Sequence, residues 1–126
     1  MKFEDTPWTE RQPNFETEYL CVYQDKYSVT NPADGHRLFI PKKDNIGDIA
    51  TAFKFAIVAG EAAIASSDND WTGYNVGINR GKVAGQTINY PHVHLILRKE
   101  GDTPNPIGGV RNVIAGKGDY TKNKTI

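Results

Sequence analysis

Cysteine is nearly absent: the 126-residue chain holds one, Cys21, within the apolar run YLCVY. A lone cysteine cannot close an internal disulfide, which fits a reducing compartment, and Cys21 reads as a small buried hydrophobe. Long apolar runs are missing too. No stretch reaches the ~20 residues that a membrane span requires. The opening MKFEDTPWTE puts acid and proline where a signal peptide has its apolar segment. The expectation is a soluble, cytoplasmic chain with no membrane partner. Charge of one sign is also lacking, since 15 basic and 15 acidic residues give a net charge of +0. Binding along a phosphate backbone demands a basic excess, so no nucleic-acid partner is expected. A small phosphorylated ligand needs only a few local donors and stays open. No Gly-Lys-Ser/Thr follows a strand, which excludes a P-loop.

Hydrophobic residues make up 38% of the chain and aromatics 10%, enough for one core at the usual size of one domain. Residues 1–17 are polar and proline-punctuated and read as an arm or short helix. Glu18–Gln24 (EYLCVYQ) is rich in strand formers, and Tyr27–Thr30 reads as a further extended run. NPADG at Asn31–Gly35 is a turn signal, and His36–Pro41 (HRLFIP) is the next strand.

The period then changes from two to 3.6. Ile46, Ile49, Ala50, Phe53, Ile57, Gly60 and Ile64 fall on one helix face, with Asp44 or Asn45 as the N-cap. Phe55, Val58, Ala59 and Ala62 form a second apolar stripe. One stripe is expected to face the sheet, and the other calls for a partner subunit. Trp71–Asn79 and Ile88–Lys99 read as strands, joined by the glycine loop RGKVAG, and residues 101–126 as a surface tail. The layout is α+β: an antiparallel sheet of about five strands around one long helix, in one domain spanning 1–126. Trp8 and Trp71 read as packing or interface residues.

The chemistry concentrates in YPHVHLILR. Strand alternation points Tyr90, His92, His94 and Ile96 one way, roughly 7 Å between neighbours, and the apolar Pro91, Val93, Leu95 and Leu97 the other. The histidine face therefore looks into a groove. Three readings of the pair compete. Surface histidines are the plainest. Metal ligation needs third and fourth donors, and no cysteine pair or His-rich segment supplies them, so no metal ligands are assigned. The third reading is a nucleophile with a helper, since a neutral imidazole is a competent nucleophile near pH 7.

The flanking sequence separates these readings. NVGINRGKVAGQTINYPHVHLILRKEGD resembles the signature region of the histidine-triad (HIT) family. Asn79, Gly85-Gln86-Thr87, the histidine strand and Arg98-x-x-Gly101-Asp102 fall at the family's spacing without a gap, and GHRLFIPKK resembles its upstream strand. The tail GDTPNPIGGVRNVIAGK is similar to that of a bacterial branch related to dinucleoside-polyphosphate hydrolases.

The resemblance implies a HIT-like fold and assigns roles by position. His92 matches the nucleophile that forms a nucleotidyl-imidazole. His94 matches the histidine that binds phosphate and assists the leaving group, and Thr87 and Asn79 match residues that hold phosphate oxygens. Gln86 belongs to the same phosphate-facing loop. Asp25 falls where the family grips the ribose, a turn-capping carboxylate being its other reading. His36 falls on a position lining the nucleotide pocket. Tyr90 stands in place of the first motif histidine; its hydroxyl can donate or accept a hydrogen bond, but with a pKa near ~10 it does not readily relay a proton at pH 7. Pro91 stands where a plain apolar residue is usual, and Leu97 where a proline is.

The expected protein is a homodimeric nucleotide hydrolase or transferase cleaving a phosphoanhydride or phosphoramidate, with dinucleoside polyphosphates as the preferred class. No cofactor is required beyond a divalent cation accompanying the nucleotide. The alternatives are a binding module whose catalysis has decayed through Tyr90, and a nucleotidyltransferase to a sugar phosphate.

Overall fold

A computed structural model describes residues 1–123; residues 124–126 of the expected tail lie outside them. Six elements carry the architecture: β1 (Phe15–Glu16), β2 (Leu20–Gln24), β3 (His36–Pro41), α1 (Ile46–Ala65), β4 (Gly73–Ile78) and β5 (Val93–Arg98). The strands form one sheet in the order β1-β2-β3-β5-β4, and every pairing is antiparallel. The α+β layout of one sheet and one long helix is as expected.

Alternation along the strands builds two cores, one on each face of the sheet. On the helix side, Leu20, Val22, Phe39, Val93, Leu95 and Leu97 pack with Ala52, Ala56 and Trp71. On the far side, Cys21, Tyr23, Leu38 and Ile40 are covered by Trp8 and Tyr90. Each fully buried Leu or Ile here contributes roughly 2 kcal/mol. The far cover comes from the N-terminal arm, which forms two short 3-10 turns, Phe3–Asp5 and Pro7–Glu10. The arm is thus part of the packed structure.

Helix α1 begins at Asn45, whose side chain accepts from the Asp48 amide at 2.8 Å, satisfying one of the free donors of the first turn. Its buried line is Ala52, Ala56 and Gly60, flanked by Phe53, Phe55, Ala59 and Ala63. This corrects the expected stripes. Small residues allow the helix to lie close to the sheet, and the bulkier Ile46, Ile57, Val58 and Ile64 are left exposed.

Two strand expectations also need correction. Tyr27–Thr30 forms no strand: Asp25 Oδ1 accepts the Tyr27 amide at 2.7 Å, an Asx-type turn that bends the chain away, and Tyr27 is 79% exposed. The last strand starts at Val93 rather than Ile88. Pro91 has no N–H for a ladder, and the Tyr90 amide is spent locally on the Ile88 carbonyl at 2.8 Å.

Gly60 marks where helix and sheet come nearest. A Cβ there would stand 2.8 Å from the Tyr74 ring carbons, and that ring is held at its far end by a 2.8 Å bond from its hydroxyl to Glu61. Gly→Ala in a helix interior ordinarily stabilises by about 1 kcal/mol, whereas overpacking costs about 1–3 kcal/mol. Gly60→Ala is therefore expected to destabilise by about 1 kcal/mol in urea unfolding. Unchanged or raised stability would show that the contact is not tight.

Candidate active site

The β3–β5 register sets the site. Leu38 pairs with His94 and His36 with Ile96, so His36 and His94 are diagonal neighbours on the face away from α1, within reach of a direct bond. His36 Nε2 lies 2.9 Å from His94 Nδ1. The directions of the bonds follow from the partners. The Val29 amide can only donate, and it points at His36 Nδ1 at 3.2 Å. His36 therefore carries its proton on Nε2, which donates to His94 Nδ1. That fixes His94 with its proton on Nε2. Asp25 Oδ2 sits 3.3 Å from the same His36 Nε2 and supports this tautomer.

His92 lies one residue before β5 and is 7% exposed. Its Nδ1 stands 2.7 Å from the Tyr90 carbonyl. A carbonyl only accepts, so Nδ1 bears a proton, and in the neutral ring the lone pair is on Nε2. The His92 and His94 rings are 5.3 Å apart. The pair thus presents one N–H donor and one nucleophilic nitrogen.

Burial keeps the helper neutral. His94 is pushed down to about 4, first by desolvation, then by the neighbouring His92 and His36, with Asp25 opposing. His36 is also lowered, by burial, against the pull of Asp25. An imidazole that stays neutral cannot lose its donor geometry by taking a second proton at Nδ1.

A cavity of about 630 Å³ opens over these rings, with Asp25, Asn79, Gly85, Thr87, His92 and His94 in its wall. Gly85 has φ +93°, a conformation that favours glycine. The arm contributes Pro7, Trp8, Glu10 and Arg11 to the same wall. The cavity is in the usual size range of small-molecule sites.

Five of the expected site residues therefore meet at the cavity: His92, His94, Thr87, Asn79 and Asp25. Three take other places. His36 is buried behind His94 and reaches the cavity only through it. Gln86 turns its Oε1 to the Gly81 amide at 2.8 Å, bracing the glycine loop, while its buried Nε2 has no partner among the described residues. Tyr90, expected beside the substrate, lies on the expected face but is 1% exposed, covered by the arm. Its hydroxyl donates to the Pro41 carbonyl at 2.6 Å and is pushed up to about 12 by burial, then by Asp44, Glu4 and Asp48. It meets His92 through its backbone carbonyl. Sequence reasoning also missed Trp8, whose ring centroid is 4.8 Å from that of His92. The available signal was a large aromatic ring within an otherwise polar arm.

Asp25, His36 and His94 also hold donor atoms within 4.8 Å of one another, so these are the residues that could receive a divalent cation.

No family model matches the chain. An uncharacterised HIT-like protein of Methanocaldococcus jannaschii is 33% identical over 111 residues, covering 79% of this chain and 85% of that protein. Adenylylsulfatase HINT3 of Arabidopsis thaliana is 30% identical over 99 residues, 69% of this chain and 49% of that protein. Among solved structures, a zinc-bound histidine triad family protein from Mycobacterium smegmatis superposes with a TM-score of 0.65 at 27% identity, over 77% of this chain and 73% of that one. A histidine triad nucleotide-binding protein from Sulfolobus tokodaii gives 0.60 at 28% identity, over 77% and 68%. A five-stranded antiparallel sheet with one long helix is the architecture shared with these proteins. The chain belongs to the histidine-triad (HIT) family.

The histidine shifts make stability depend on pH. Folded His94 and His36 bind protons more weakly than the ordinary ~6.5, so between about pH 4 and 6.5 the unfolded chain holds more protons. Their contribution is fully present above about pH 6.5 and is lost as pH falls toward 4. His94→Asn is expected to flatten the decline in urea midpoint across that window. A variant with the wild-type slope would show that His94 is not held neutral.

Proposed function

We propose that this chain is a nucleotide hydrolase working through a covalent nucleotidyl-His92 intermediate, with dinucleoside polyphosphates as its preferred substrate class. The observation that carries the reading is the opposite tautomers of the two imidazoles at one cavity: His92 with a free Nε2 lone pair, and His94 with an Nε2–H donor. The relative named as an adenylylsulfatase agrees with a substrate that carries a nucleotidyl group on a good leaving group.

In the first step the His92 Nε2 lone pair forms a bond to the α-phosphorus. The bond from phosphorus to the bridging oxygen breaks, and its electron pair leaves with that oxygen. His94 Nε2–H, Thr87 and Asn79 are the donors for the phosphoryl oxygens, positioned before the reaction rather than reorganised during it. The adduct is a cationic imidazole, bearing phosphorus on Nε2 and the proton on Nδ1, and the Tyr90 carbonyl accepts from that Nδ1–H throughout. In the second step water attacks the same phosphorus, the P–Nε2 bond breaks with its electron pair returning to the imidazole, and the nucleoside monophosphate leaves while the water's proton passes to solvent. Asp25 stands at the cavity wall for the ribose hydroxyls. A divalent cation enters only with the polyphosphate.

Within this reading the chain belongs to the branch resembling bacterial dinucleoside-polyphosphate hydrolases, and Tyr90 takes the position of the first motif histidine. The working form is a homodimer, supported by the exposed Ile57, Val58 and Ile64 of α1, a surface that water covers poorly.

His92→Ala is expected to lower turnover of diadenosine tetraphosphate by at least about 10⁴-fold, with adenosine monophosphate binding largely retained. Mass spectrometry of the wild-type protein quenched during turnover should find an adenylyl group on His92. Undiminished turnover in the variant would dismiss the mechanism.

A further inference from the structure

One hydrogen bond does not fix a ring. The Tyr90 carbonyl holds His92 Nδ1, yet the imidazole can still tilt about that bond and swing Nε2 away from an incoming phosphorus. The His94 ring lies on one side at 5.3 Å between centroids, and a nearer contact that opposes such a tilt comes from the arm. The Trp8 ring meets the His92 ring at 4.8 Å between centroids with the planes at 53°, a separation and inclination favourable for aromatic packing.

Trp8 is itself immobilised. It is 6% exposed, packed with Tyr23, Leu38, Ile40 and Tyr90. Before it in the chain, the buried Thr6 donates its hydroxyl to the Phe3 carbonyl at 2.7 Å, and the Phe3 ring lies 6.2 Å from that of Tyr90. After it, the Arg11 Nη2 donates to the Gln24 carbonyl at 2.7 Å, and its guanidinium stands 5.6 Å over Tyr23. The arm is pinned to the sheet on both sides of the indole, and Pro7, Trp8 and Arg11 line the cavity.

We propose that Trp8 is a positioning residue for His92: its indole and the Tyr90 carbonyl together restrict the imidazole to the one orientation that presents Nε2 to the cavity. The proposal rests on the reading of His92 as nucleophile and adds a residue that acts through it. The same indole face lies beside the ring when nucleotidylation makes it cationic, an attractive arrangement.

The test has two arms. In the first, rapid-quench single turnover with saturating diadenosine tetraphosphate measures adenylyl-His92 formation in wild type, Trp8→Leu and Trp8→Phe. A misaimed nucleophile slows reaction by up to about 100-fold, so Trp8→Leu is expected to slow adduct formation on that scale while affinity for adenosine monophosphate changes far less. Trp8→Phe, which keeps an aromatic face, should recover most of the rate. Adduct formation at the wild-type rate in Trp8→Leu would overturn the proposal and leave the nucleophile standing.

The second arm needs no turnover. The chain has two tryptophans, so in Trp71→Phe the emission is that of Trp8 alone. An imidazole packed on the indole shields it from small solutes, so His92→Ala in that background should raise acrylamide quenching of the Trp8 emission. Quenching unchanged by His92→Ala would overturn the contact. If Trp8→Leu does not fold, Trp8→Phe and the quenching measurement decide. If wild type forms no adduct while the His92-dependent change in quenching is present, the nucleophile reading fails and the contact survives.

Discussion

The direction of one hydrogen bond governs what the paired imidazoles can do. Because the Val29 amide donates to His36 Nδ1, the next proton must sit on His36 Nε2, the one after on His94 Nε2, and the row ends in a donor facing the cavity. Reversing any link would leave His94 with an acceptor, rather than a donor, at the cavity. The turn at Asp25 contributes twice. Its carboxylate accepts the Tyr27 amide, which shapes the segment that delivers the Val29 amide, and its other oxygen lies against His36 Nε2. Burial then keeps His36 and His94 neutral, so that the donor at the end of the row is not lost to protonation.

The two faces of the sheet divide the labour. The side under α1 is a conventional apolar core, drawn close by Ala52, Ala56 and Gly60. The opposite side is mixed: at one end Tyr23, Leu38 and Ile40 are packed dry under the arm, and at the other the histidines border a cavity. Strand β5 serves both, with Val93, Leu95 and Leu97 turned to the helix and His94 to the site. A cavity side chain placed on a strand whose alternate residues are clamped in a core has little freedom to drift.

Much of this was legible in the sequence where periodicity or spacing carries the signal. The helix, the strands of EYLCVYQ and HRLFIP, and the alternation through VHLIL follow from burial patterns alone. The meeting of His92, His94, Asn79 and Thr87 was implied by the resemblance of the glycine loop and histidine run to the family's signature region, and not by spacing alone. Long-range packing was not legible. Tyr90 lies on the expected face, yet nothing local indicates that residues 3–8 fold across it. His36 looks like a pocket residue until the diagonal register puts His94 in front of it. The helix stripes were misjudged because large apolar residues were taken as the buried ones, whereas close approach to a sheet selects alanine and glycine. Tyr27–Thr30 has strand formers, but the Asx turn at Asp25 overrides them.

The arm's double duty couples two properties that enzymes often keep separate. The same segment caps an apolar face of the sheet and walls the cavity, so its thermal loosening wets the core and widens the cavity together. Loss of function on warming should then begin at the arm, ahead of the sheet itself, since local opening precedes global unfolding where contacts are fewest. Evolution could tune that temperature by adjusting how tightly Phe3 packs on Tyr90, without altering any side chain that lines the cavity.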